Sequence, residues 1–229
     1  RTAGQGVGFA YGRHLLPEIL PPLYEALNAS GLPFEIIVSD DNSNDESVSF
    51  LQKEFKEIKI LQQDINCGFS PTINKGIFAA RYFFLFLLNS DVKTAPDYFN
   101  HLFKYFDDLN TFGVMGRIIG WDDDIIQDGG KYPSFHGTKI KTSGNYVPLF
   151  PKTDDRLLTM YLSGANAFVR RDKIIALGGF DEIFAPFYVE DFELSLRAWR
   201  LGWKCMYEHN AVCRHRISSS IKTQRSKKN

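Results

Sequence analysis

Cysteine is scarce in this chain, and the three present, Cys67, Cys205 and Cys213, are odd in number and lack metal-ligand spacing. That excludes a disulfide framework and a cysteine-built zinc site, and it predicts thiols kept in a reducing compartment. Net charge is also absent: 27 basic residues balance 27 acidic ones, so no global field draws nucleic acid. The one basic run, Arg225-Ser226-Lys227-Lys228, reads as a solvated tail over 221–229, with a membrane surface as its other reading. Long apolar runs are missing as well. Tyr82–Leu88 falls far short of the roughly 20 residues that span a bilayer. The opening Arg1–Gly6 is polar and Gly-rich with no signal-peptide core, which predicts a cytoplasmic protein.

What is abundant is aromatic: twenty Phe among 229 residues, enough apolar mass for one packed α/β domain or two small lobes. Leu16, Leu20, Leu23 and Leu27 recur at helical spacing, predicting a helix over Leu15–Leu27 that Gly31-Leu32-Pro33 ends. Phe34–Val38 reads as a buried strand, Ser47–Phe55 as a helix and Ile58–Leu61 as a strand. Ser70-Pro71 starts a helix reaching about Arg81, which feeds the strand Tyr82–Leu88. A further helix is expected from Ala95-Pro96, with Phe99, Leu102, Phe103 and Phe106 on one stripe. This alternation predicts a mostly parallel sheet with helices on its faces. From Gly113 to Pro151 the pattern reads as irregular loops and hairpins. Order returns as a strand over Tyr161–Arg170, a helix over Asp172–Leu177, a helix after Asp191 and a strand-like Ala211-Val212-Cys213.

Three acidic sites end buried elements, as an enzyme handling a metal-bound diphosphate would need. Asp40 and Asp41 follow one strand, and open α/β sheets bind ligands beyond such ends. Their carboxylates suit a nucleotide base, a ribose or a hard cation, although Asp-Asn-Ser is also ordinary turn chemistry. Asn89-Ser90-Asp91 ends a second strand, and Asp91 alone suffices for a divalent cation whose other ligands are water and phosphate. His215 is a candidate further ligand, or a surface residue between Arg214 and Arg216. Asn66, Gly68 and Asn74 bracket the Ser70-Pro71 helix start, which either presents N–H groups to a ligand or is a capped junction. Glu190 and Asp191 open the last helix, where the dipole alone favours acids. The Gly- and aromatic-rich stretch Gly178–Tyr188 before them suits a mobile substrate-binding wall over a general base.

Taken in order, these pieces resemble a family-2 glycosyltransferase of the GT-A fold, over roughly Gly12–Ser220. The series runs from Glu35–Asp45 through Asn66–Phe69, Asn74-Lys75-Gly76 and Leu88–Asp91. It continues with Ser163–Asn166, Gly178–Glu182, Glu190-Asp191 with Leu194 and Arg197, Gly202-Trp203 and His215. The branch it most resembles is rhamnosyltransferase-like, building bacterial surface polysaccharide. The resemblance implies one domain: a nucleotide-sugar half over 1–112 and an acceptor and catalytic half over 113–220. It implies that Asp41, helped by Asp40 and Ser43, binds the donor's base or ribose, with Asn66, Gly68, Asn74 and Asn89 around the nucleotide. Asp91 is implied as the main carboxylate for Mg²⁺ or Mn²⁺, Asn89 standing where the family's metal motif has its first Asp, and His215 completes that site.

Asp191 is implied as the base and Glu190 as its support, with Gly179, Phe180 and Asp181 on the acceptor side. The expected donor is a dTDP-rhamnose or UDP-hexose type sugar nucleotide. The expected acceptor is a glycan or lipid-linked hydroxyl at the inner membrane face, to which the protein is peripheral. Helix-dipole reasoning predicts a depressed Asp191 pKa. One departure stands out: the family's first strand is here only a remnant, Val7–Tyr11, ahead of Gly12-Arg13-His14. Loss or rewriting of that strand predicts impaired folding or donor binding, and with it a non-catalytic binding module as the alternative function. A nucleotidyltransferase is disfavoured because Gly4–Gly8 has no neighbouring Lys.

Overall fold

The computed structural model describes residues 5–9, 15–142, 144–148, 156–186 and 189–216. The expected basic tail, the Gly12–His14 segment and the Phe187-Tyr188 part of the aromatic loop lie outside the described residues. β1 (Gln5–Phe9) leads to α1 (Leu16–Ala29), β2 (Phe34–Asp40), α2 (Ser47–Glu54), β3 (Lys59–Gln62), α3 (Phe69–Ala79), β4 (Phe84–Leu88) and β5 (Val92–Thr94). Two 3-10 turns, Tyr98–His101 and Phe103–Asp107, precede β6 (Thr111–Gly120), β7 (Ile126–Asp128), the hairpin β8 (Pro133–His136) and β9 (Lys139–Thr142), and β10 (Leu157–Leu158). Then come β11 (Asn166–Arg170), α4 (Arg171–Ala176), a 3-10 turn at Glu182–Phe184, α5 (Glu190–Arg200) and β12 (Lys204–His215).

One ten-stranded sheet runs in the order β10-β12-β6-β11-β4-β1-β2-β3, with β5 added to β12 and β7 to β6. β3, β2, β1 and β4 are parallel, whereas β11 enters antiparallel between β4 and β6. The period-2 geometry of a strand splits β4 between two cores: Phe84, Phe86 and Leu88 face one side, Leu85 and Leu87 the other. The first core packs under α1, whose Leu16, Ile19, Leu20, Leu23, Ala26 and Leu27 are buried. That face holds α1 together despite Pro21 and Pro22 inside it, which remove two ladder donors. The second core takes Ile73 and Ile77 of α3, Ile174 of α4, and Leu194 and Ala198 of α5. The result is a three-layer α/β/α sandwich.

Four expectations are corrected. The stripe Phe99–Phe106 folds as 3-10 turns, not a helix, because its rings close around Phe168 at 5.5–5.7 Å from Phe99, Phe103 and Phe106. The segment from Gly113, read as irregular, is the buried strand β6. Its glycines hide the strand pattern because they admit neighbours: a Cβ on Gly113 would lie 2.6 Å from Val169, and one on Gly116 2.6 Å from the Tyr98 ring. The expected strand Tyr161–Arg170 is cut to its last five residues, and Ala211–Cys213 extends into the twelve-residue β12. Finally, the first strand is present: Gln5–Phe9 pairs with Phe34–Val38 on one side and with Phe84–Leu87 on the other.

Candidate active site

The β1 slot brings the C-terminal ends of β2 and β4 to one sheet edge, with Asp40-Asp41 on one and Asn89–Asp91 on the other. Asp40 is buried and accepts the Ser43 N–H at 3.2 Å, closing a turn through Asn42 at φ 61°. Asp41 is buried and its carboxylate is committed to protein. Oδ1 accepts the Cys67 N–H at 2.7 Å and the Thr72 hydroxyl at 2.9 Å, and Oδ2 accepts the Gly68 N–H at 2.9 Å. The exposed Asn66 adds a bond from Nδ2 to the Asp41 carbonyl at 3.2 Å. Asp41, expected at the nucleotide, therefore serves as the anchor of the loop that starts α3.

Asn74 is likewise turned inward. Its Nδ2 donates to the Phe180 carbonyl at 2.9 Å and to Glu182 at 3.1 Å, while Oδ1 accepts the Phe180 N–H at 2.8 Å. Arg197 holds the same loop by donating to the Leu177 carbonyl at 2.6 Å and the Gly179 carbonyl at 2.9 Å, with Glu193 pairing its guanidinium at 2.7 Å. Phe180 is buried edge-on against Phe69 at 5.4 Å, and Asp181 caps its own turn through the Ile183 N–H at 3.0 Å. The expected acceptor wall is, over Gly178–Glu182, tied to α3 through Asn74 and to α5 through Arg197. Burial of the Phe180 ring and the commitment of Asn74 to that loop are the physical reasons.

The two expected metal ligands do meet. β5 pairs with the end of β12, setting Val92 against His215, and His215 Nε2 lies 3.4 Å from Asp91 Oδ2. Among the described residues, Asp91 Oδ1 is buried without a hydrogen-bond partner. A buried, unsatisfied carboxylate oxygen beside an imidazole nitrogen fits a hard cation that takes few protein ligands and fills its shell with water and phosphate. Among the described residues no group of three His, Cys, Asp or Glu gathers into a cage. Gln127, on β7, was missed by sequence reasoning: its Oε1 sits 2.6 Å from His215 Nδ1, and its Nε2 donates to the His215 carbonyl at 3.3 Å. It lies in a stretch read as irregular, and no motif marks it.

Asp191 stands at the start of α5, after Val189 in the left-handed region at φ 79°, a costly conformation for a β-branched residue. Burial pushes its carboxyl up to about 6, with the charges of Glu190 and Asp128 adding to the rise. Hydrogen bonds from the Phe192 and Gly164 N–H groups act against it. The expected depression by the helix dipole is thus overturned, because loss of water outweighs the dipole at this depth. Glu190 is itself buried. The Ser163–Asn166 turn links the two centres: Gly164 donates to Asp191, and the Ala165 carbonyl accepts the Asn89 N–H at 3.2 Å. Asp128 and Tyr161, both acting electrostatically with Asp191, were also missed. Asp128 is paired with the nearly buried Lys131 at 3.0 Å.

The chain has relatives among known proteins. The chain is 24% identical over 219 residues to an N-acetylglucosaminyl-diphospho-decaprenol L-rhamnosyltransferase of Mycobacterium tuberculosis, covering 84% of this chain and 69% of that protein. It is also 24% identical over 196 residues to a chondroitin synthase of Pasteurella multocida, spanning 20% of the latter. Among solved structures, GalNAc-T7 with UDP, GalNAc and Mn²⁺ superposes with a TM-score of 0.71 at 18% identity, covering 94% of this chain and 44% of that one. The mannosyltransferase PcManGT of Pyrobaculum calidifontis with GDP-Man and Mn²⁺ gives 0.67 at 14% identity, covering 99% and 61%. The chain therefore spans about half the length of these two structures. The neighbours are GT-A glycosyltransferases, and this chain has their fold. Residues 10–178 match the family model described as glycosyl transferase family 2, and the chain belongs to that family.

Proposed function

We propose that the chain moves a sugar from a nucleoside diphosphate donor to an acceptor hydroxyl, inverting the anomeric carbon. The observation that carries this is the desolvated Asp191, its carboxyl at about 6, tied through Gly164 and Ala165 to the strand end that bears Asp91. A pKa near working pH suits a general base, which must be ionised yet basic enough to accept a proton. Asp191 takes the acceptor hydroxyl proton as that oxygen bonds to the anomeric carbon, and the bond from carbon to the diphosphate oxygen breaks. Glu190 supports Asp191 by keeping its proton affinity high. Asp40, Ser43, Asn66 and Asn89 frame the nucleotide, while Asp41 and Gly68 hold that frame in place. Asp91 and His215 would hold Mg²⁺ or Mn²⁺, which when bound neutralises charge on the leaving diphosphate.

A dTDP-rhamnose or UDP-hexose type donor and a glycan or lipid-linked acceptor in surface polysaccharide synthesis complete the proposal; the rhamnosyltransferase and diphospho-decaprenol in one relative's name and the UDP in a neighbour's support the sugar-nucleotide donor and lipid-linked acceptor. Among the described residues no helix is long and apolar enough to cross a membrane. The non-catalytic alternative rested on a missing central strand, and β1 fills that slot. The test is transfer from a panel of sugar nucleotides with Mn²⁺, comparing the native chain with Asp191→Asn. A loss of ~100-fold or more in kcat is expected on removing a general base. Undiminished transfer by the variant would sink the mechanism.

A further inference from the structure

Gln127 carries an inference that deepens the metal reading of Asp91 and His215 and rests on it. Its side-chain amide makes two contacts with one residue: Nε2 donates to the His215 backbone carbonyl at 3.3 Å, and Oε1 lies 2.6 Å from His215 Nδ1. A carbonyl only accepts, so the amide orientation is fixed with its NH₂ toward the backbone. Oε1 must then face the ring, and an oxygen there only accepts, so His215 Nδ1 carries the proton. With its Nδ1 proton held by Gln127, the His215 ring presents Nε2 to Asp91, whose Oδ2 is 3.4 Å away and whose Oδ1 is buried with no hydrogen-bond partner among the described residues. With Nε2 deprotonated, two acceptors at that separation repel unless a cation sits between them, whereas a protonated Nε2 would itself pair with Asp91.

We infer that Gln127 is a positioning residue that fixes His215 in its Nδ1–H tautomer and thereby builds the divalent-cation site. Strand β7 owes its place to β6, where Ile119 pairs with Ile126, so the sheet itself delivers the amide to the imidazole. Metal-ligating histidines usually donate their other N–H to an oxygen that sets tautomer and ring orientation, and removing such a partner costs ~10–100-fold in metal affinity. Without the Gln127 oxygen, the ring proton is expected to move to Nε2 and hydrogen-bond Asp91, closing the site with a proton.

The experiment uses the full chain and two readouts. The first is Mn²⁺ binding, alone and with UDP, followed by the electron paramagnetic resonance of free Mn²⁺. The second is the ¹⁵N signature of the His215 ring in metal-free protein at pH 8, where the tautomer is read directly. Native protein is expected to bind Mn²⁺ and show Nδ1–H. Gln127→Leu is expected to bind ~10–100-fold more weakly and to show Nε2–H. Gln127→Glu, which retains the acceptor oxygen, is expected to keep both the Nδ1–H tautomer and native affinity. A purely structural role would lower the melting temperature of Gln127→Leu without moving the tautomer, and that result overturns the proposal. Native Mn²⁺ affinity in Gln127→Leu, or Nε2–H in the native protein, overturns it too. Unchanged Mn²⁺ binding in Asp91→Ala would instead remove the metal reading itself, a distinct outcome.

Discussion

Asp41 is buried and Asp191 half-buried, and their surroundings hold them differently. Asp41 receives three protein donors; Asp191 receives two backbone N–H groups, sits among Glu190 and Asp128, and is pushed up to about 6. If Asp191 is the base, kcat/KM should rise with pH through about 6 and level off above about 7, a limb that Asp191→Asn abolishes. Stability carries the same information with a definite sign. A carboxyl whose folded pKa lies above its unfolded value of 3.8 opposes folding when ionised, fully so above about 6, and the cost disappears as pH falls below about 4. Asp191→Asn should therefore gain up to about 3 kcal/mol at pH 8 and nothing near pH 3, read from denaturant midpoints at the two pH values. Residue identity at this site was legible in the sequence. The direction of the pKa was not, because desolvation depends on what packs over α5.

The elements from α1 to β4 appeared in the sequence within a few residues of their observed ends, since each shows one period and ends on turn or cap chemistry. β6 and β12 did not. β6 is buried on both faces and broken by Gly113 and Gly116, which make room for Val169, Leu162 and Tyr98, so neither period survives. β12 carries a bulge between Glu208 and Val212 that interrupts its register with β6. At this scale the loop leading into α3 is the testable unit. Asp41→Ala leaves the Gly68 N–H and Thr72 hydroxyl buried and unpaired, and should cost about 2–4 kcal/mol in thermal or urea unfolding. Gly68 sits at φ 87°, and a Cβ there would lie 2.7 Å from Pro186 Cα. Gly68→Ala should accordingly cost about 1–3 kcal/mol and free the Phe69 N–H from the Pro186 carbonyl, visible as faster amide exchange at Phe69.

For the whole molecule, β1 decides whether two acidic strand ends share one edge. It bonds to β2 and β4 at once, so its removal would expose two unpaired strand edges in the middle of the sheet. Deleting residues 1–9 should abolish cooperative unfolding and drive association, measured by circular dichroism melts and size-exclusion chromatography. The ordered acidic motifs and the helix starts were determined by sequence alone, because each rests on local period, capping or composition. Tertiary structure decided the rest. It turned Asp41, Asn74 and Phe180 inward, raised the Asp191 pKa, and brought Gln127 of β7 to His215 of β12, 88 positions apart. Those outcomes depend on burial and on pairing between distant strands, and neither is written in any window of neighbouring residues.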